Sequence, residues 1–130
     1  MKIDVSIGEL VDKVSILEIK LNKVKNKDKL KNIKKEYDLL KVSMEQCGIN
    51  AESEFFKRLV EVNSRLWVIE DDIRIKESSQ EFDADFIRLA RSVYFENDER
   101  AAIKKEINLK YDSDLVEEKE YVDYKDTSSR

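Results

Sequence analysis

The stretch from Ser6 to Val24, SIGELVDKVSILEIKLNKV, decides how this chain folds. It opens with Ser6-Ile7-Gly8-Glu9, the S-x-x-E form of a capping box, and Val5 and Leu10 stand where a hydrophobic staple would join them. Leu10, Val14, Leu17, Leu21 and Val24 then step by four and three, which makes one stripe of a helix apolar. Ile16 and Ile19 fall on the opposite side at about 100° per residue. A helix that is apolar on two sides either runs through the middle of a bundle or meets a second copy, and a homodimer through this second face is the expectation.

Asn26 to Asp28 shifts the apolar phase and supplies capping residues. Leu30, Ile33, Tyr37, Leu40, Met44 and Cys47 repeat the spacing as far as Gly48, a natural C-cap, so the first two helices form a hairpin. A third pattern, Phe55, Leu59, Val62, Leu66, Ile69 and Ile73, runs to about Glu77, where Ser78-Ser79-Gln80 interrupts it. Asp83 caps a fourth helix, with Phe82 and Ile87 placed as a staple. The buried side of that helix, Phe86, Leu89, Ala90 and Val93, continues into Asn97, Arg100 and Lys104 before Ile107 and Tyr111 restore it. Either Asn97 caps a fresh helix, or one helix carries polar groups into its own seam. Asp114-Leu115-Val116-Glu117 again has the form of a capping box and predicts a short acidic helix, and Thr127 to Arg130 should fray.

Composition agrees with helices throughout. In 130 residues the hydrophobic share is 41% and the charged share 42%, with no proline and two glycines, whereas a strand-and-turn architecture needs frequent turn residues. The fold class read from this is all-α: an antiparallel helical bundle of four main helices in two helical hairpins, plus a short C-terminal helix. Residues 1–130 read as a single helical domain, with 112–130 its acidic helix or tail.

Several function classes fall away. Histidine is absent and Cys47 is the lone cysteine, which excludes Ser-His and Cys-His mechanisms, an internal disulfide and a cysteine metal cluster. No apolar run resembles a signal peptide or a membrane span, so a cytoplasmic protein without a membrane partner is expected. The lysines from Lys20 to Lys35 read as a solvated helical corner, because the interleaved arginines and aromatics of a nucleic-acid surface are missing.

The candidate site lies in and around RLWVIEDDIRIKE, Arg65 to Glu77. With Phe55, Leu59, Leu66 and Ile73 facing the core, Trp67, Phe56 and Val60 widen the apolar side, and Asn63, Glu70 and Arg74 share that flank. Asp71 points outward and Asp72 lies on the other flank. Glu70 and Arg74 can form an ordinary intrahelical ion pair. They can also join Asn63 and Trp67 as one wall of a pocket, with Asn97, Arg100 and Lys104 as the other, a mixture suited to an anionic small molecule. No cofactor is expected on this reading, and the function is that of a non-enzymatic binding or accessory protein for such a ligand or for a protein partner.

The alternative is a metal-dependent hydrolase of a phosphorylated small molecule or nucleotide. All-α pyrophosphohydrolases hold magnesium with carboxylates three or four residues apart on neighbouring helices, and here Glu9, Asp12, Glu70 and Asp71 would have to converge on Mg or Mn. Helix three lacks the second member of such a pair, since Ile73 and Arg74 follow Glu70 at the required distances.

The segments SIGELVDKVSILEIKL, LWVIEDDIRIKE and FIRLARSVYFENDERAAIKKEIN, followed by LVEEKEY, resemble a small family of bacterial and phage proteins catalogued as a domain of unknown function (6165). The resemblance spans Ser6 to Tyr121. It implies that Glu9, Asp12, Lys13, Glu18, Trp67, Glu70, Asp71, Arg74, Arg91, Asn97, Asp98 and Arg100 belong to the family's motifs alongside its apolar stripes, and so favours a site without naming its ligand.

Overall fold

The computed structural model describes residues 1–125; the expected fraying of Thr127 to Arg130 lies outside the described residues. Four helices form: α1 (Ile7–Lys23), α2 (Lys27–Gln46), α3 (Glu54–Ser78) and α4 (Ala84–Lys110). Their starts follow the caps. Ser6 Oγ accepts from the Glu9 N–H at 3.1 Å, Asn26 Oδ1 from Lys29 at 3.1 Å and Asp83 Oδ1 from Phe86 at 2.9 Å, each satisfying an amide the helix leaves open. After α2 the chain turns at Gly48 with φ of 86°, a conformation that a Cβ disfavours. Phe82, placed by sequence as the staple partner of Ile87, lies edge-on to Phe86, with ring centroids 5.2 Å apart.

Two helical hairpins result. Arg58 pairs with Glu106, Arg65 with Glu96 and Lys76 with Asp83; one number rises as the other falls, so α3 and α4 are antiparallel. α1 packs against all three other helices, whereas α2 packs against α1 alone. The fold is therefore layered, with α1 between α2 and the second hairpin, and the two-sided apolar pattern of α1 is what such a position needs. Ile19 is buried and Ile16 half-buried, both turned toward α3 and α4. The core gathers Val11 and Val14 of α1, Met44, Ile49, Phe56, Leu59 and Val62, and Ile103 and Ile107 of α4, side chains whose full burial stabilises by about 1.5–3 kcal/mol each.

α4 is one helix of 27 residues, about 40 Å long. Asn97 caps nothing. No glycine or proline interrupts the segment, and the polar residues on its inner side are matched by polar groups of α1, so the helix has no reason to break.

The short C-terminal helix is not formed among the described residues. The chain leaves α4 at Tyr111, takes a φ of 57° at Asp112, and runs back along α4 as an extended strap. Ser113 Oγ accepts from the Ile7 N–H at 3.0 Å and donates to the Leu115 carbonyl at 2.7 Å, so the residue next to the expected cap is tied to the start of α1. Glu117 and Glu118 reach Lys104 and Lys105 at 3.4 and 3.1 Å. A local capping signal has been overridden by ties to a helix already in place. No helix among the described residues is long and apolar enough to cross a membrane.

Candidate functional site

α4 carries Arg100, Lys104 and Asn108 at intervals of four, hence along one side, and α1 runs past that side in the opposite direction. The two helices form a polar ladder. Asn108 Oδ1 accepts from the Gly8 N–H at 2.6 Å. Lys104 Nζ lies 2.6 Å from Glu9 Oε2 and 3.4 Å from Glu117 Oε2, tying α1, α4 and the strap together. Arg100 meets both oxygens of Asp12, Nε at 2.9 Å and Nη2 at 2.5 Å. Gly8 is where the helices come closest, and a Cβ there would run into the Lys104 carbonyl oxygen.

Beneath the ladder Asp12 is 1% exposed. Asn63 Nδ2 donates to Asp12 Oδ1 and to Ser15 Oγ, both at 2.9 Å, and the Ser15 hydroxyl donates to the Asp12 carbonyl at 2.6 Å. Among the described residues no buried side-chain polar atom lacks a partner. The charges reinforce one another: the hydrogen bonds to Asp12 raise the Arg100 pKa above its ordinary value. Burial pulls the Lys104 pKa down, but Glu9, Asp12 and Glu117 together carry it above 10.5. Both cations stay charged at any physiological pH.

Above this sealed layer lies an open cleft of about 390 Å³ between α1, α3 and α4. Asn63, Trp67, Glu70 and Arg74 line it from α3, Asn97 and Arg100 from α4, and Ile16, Ile19 and Leu66 give it an apolar floor. The structure thus brings six of the seven candidate pocket residues to one cleft. Lys104 is the exception, turned instead to Glu9 and Glu117. Asn63 reaches the cleft but gives its amide to Asp12 and Ser15. Glu70 and Arg74 form the expected ion pair, at 3.1 Å. Asp71 stands exposed at the rim of the cleft.

Two groups in the cleft stand apart from the network below. Trp67 on α3 and Asn97 on α4 are half-buried residues that line the cleft, and neither side chain is bonded to protein within the described residues. Arg100 uses only two N–H groups on Asp12 and keeps part of its guanidinium toward the cleft.

The metal alternative finds no such convergence. Glu9 and Asp12 line a different recess, with Lys13 and Lys20, from the cleft that holds Glu70 and Asp71, and their oxygens are engaged by Lys104 and Arg100. Among the described residues no three Cys, Asp or Glu side chains gather in a way that could hold a metal ion. Sequence reasoning missed Ser15, Asn108, Glu117 and Tyr124. Of these only Asn108 carried a signal, standing four residues beyond Lys104 on the same side.

Fold and site together define a class: an all-α protein of two helical hairpins whose α1–α4 seam is held by buried charge pairs beneath an open polar cleft. The chain belongs to the Family of unknown function (DUF6165), whose model matches residues 1–130. No curated protein and no solved structure matches it.

Proposed function

We propose that this protein is a non-enzymatic cytoplasmic binding protein whose cleft between α1, α3 and α4 takes a small molecule carrying both an anionic group and an amine. The observation that carries the reading is that Trp67 and Asn97 line the cleft from two different helices, both without a protein partner among the described residues, above a layer in which every buried side-chain polar atom is matched. Half-buried donors and acceptors of this kind are left for water or ligand.

Charge narrows the ligand. Asp12 already balances Arg100 and Glu70 balances Arg74, so a bare anion gains little on entering. A ligand whose anionic group meets the free edge of Arg100 and whose amine meets Asp71 pairs both of its charges and leaves the net charge of the site unchanged. Its apolar body would rest on Ile16, Leu66 and the Trp67 ring, in a volume at the small end of ligand sites, which run from about 300 to 1,000 Å³. A cytoplasmic setting suits the free thiol of Cys47. Hydrolysis with Mg or Mn has less support, because the carboxylates it needs are divided between two recesses and three of the four are tied to cations.

Thermal unfolding against free amino acids, dicarboxylates, sugar phosphates, nucleotides, Mg and Mn tests the proposal. A ligand at a hundred times its Kd stabilises by about 2.7 kcal/mol. Zwitterions should raise the Tm of the wild type, and Trp67→Phe and Asn97→Ala should remove the rise. A shift with metal alone that Asp71→Asn abolishes would transfer support to the hydrolase; no shift with any of these would end the small-molecule reading.

A further inference from the structure

The strap, residues 112–125, is anchored to α4 at two places and stands off between them. At one end are the Glu117–Lys104 and Glu118–Lys105 ties. At the other, the Tyr124 phenol donates to Asp98 and lies 3.2 Å from the Tyr94 carbonyl oxygen, while its ring packs edge-on to Tyr94 and Phe95 with centroids 4.7 and 5.1 Å away. Between the anchors opens a cleft of about 580 Å³, walled by Tyr94, Asn97 and Asp98 from α4 and by Tyr121, Val122 and Tyr124 from the strap.

We propose that this second cleft binds an alkylated ammonium group. Aromatic faces carry negative quadrupole charge and attract cations that lie within about 6 Å of the ring centre. The surroundings favour a cation too: between Asp112 and Lys125 the strap holds six carboxylates against Lys119 and Lys125, and Lys119 at the rim is paired with Glu117 at 3.5 Å. The chain also supplies a cation of its own. Lys125, which lies outside the cleft's lining, places Nζ 5.7 Å from the Tyr124 centroid and 3.6 Å from Asp98 Oδ2, so it already draws on the charge of this ring and carboxylate and competes with a ligand for them. Tyr121, 73% exposed, is free to close over an occupant.

A small quaternary amine and a methylated lysine of a basic peptide present the same chemistry, and calorimetric titration of the full chain separates them. The probes are choline, a trimethyllysine peptide with its unmethylated form, and 3,3-dimethyl-1-butanol, which has the shape of choline without its charge. Choline or the methylated peptide should bind, whichever is the tighter naming the source, and the neutral analogue should bind at least tenfold more weakly. Tyr121→Ala should weaken binding severalfold, and Lys125→Gln should tighten it by removing the internal competitor. Equal affinity for choline and its neutral analogue, no binding of either cation, or indifference to both substitutions would overturn the proposal. Because Tyr121 and Lys125 are exposed, neither variant endangers folding.

Discussion

Arg100 and Asp12 meet across 88 positions of sequence in a two-pronged pair, with Asp12 sealed from solvent and Arg100 still reaching the open cleft. The same guanidinium thus locks α4 to α1 and offers its remaining donors to a ligand. A buried pair of this kind fixes register more than it adds stability, because desolvation offsets much of the attraction.

Breaking one side of the pair should be costly. Arg100→Leu leaves the Asp12 carboxylate buried with only Asn63 and should destabilise by about 3 kcal/mol. Adding Asp12→Leu should recover part of that loss, so that the double variant is more stable than the sum of the single effects implies. Urea unfolding of the four proteins measures this; strict additivity would mean that the two side chains act independently.

Gly8→Ala separates helix propensity from packing. In an open helix alanine would stabilise by about 1 kcal/mol. Here the added methyl meets the Lys104 carbonyl oxygen and crowds the Asn108 amide, and overpacking of this sort costs about 1–3 kcal/mol. A lower urea midpoint is the expected result, with Gly8→Ser lower still.

The strap should respond to pH at both extremes. The Lys104 charge holds the Glu117 pKa below 4.5, so its share of the docking is complete above 4.5 and is lost as pH falls through the lower docked value. Burial and then the Asp98 carboxylate raise the Tyr124 pKa from 10.0 to about 12; its share is complete below pH 10 and disappears as pH rises through the docked value. Docking of the strap should therefore be firmest between these limits and weaken outside them. Ring resonances of Tyr124 report docking directly. In Glu117→Gln the acid response should flatten, and unmoved resonances in the wild type well below pH 4.5, with α4 still folded, would contradict the assignment.

Much of this was legible in the chain because helix signals are local. Ser6, Asn26 and Asp83 announce their helices through hydrogen bonds that reach three residues on, and the stripes of α1 and α3 state which sides are buried. Ile16 and Ile19 marked α1 as apolar on two sides but did not say whether other helices of the chain or a second copy would cover the second. What a wheel cannot give is the register of the neighbouring helix. It placed Lys104 with Arg100 on one pocket wall, whereas the antiparallel slide of α1 sets Glu9 opposite Lys104 and Asp12 opposite Arg100. The strap was misread for a related reason: Asp114 to Glu117 has the composition of a helix start, but the lysines that pull Glu117 and Glu118 away lie 13 residues upstream, beyond the reach of any local pattern.

Trp67 is the chain's one tryptophan and lines the proposed ligand cleft, so its emission reads that site with no label. Titrating the full chain with free amino acids and related zwitterions, wild type beside Asn97→Ala, is the most direct test of the account. A saturable change in Trp67 emission in the wild type, weakened at least tenfold in Asn97→Ala while both proteins unfold at similar temperatures, is the predicted result. Emission that no zwitterion alters, or a change that persists undiminished in Asn97→Ala, would contradict the claim that Trp67 and Asn97 face a ligand.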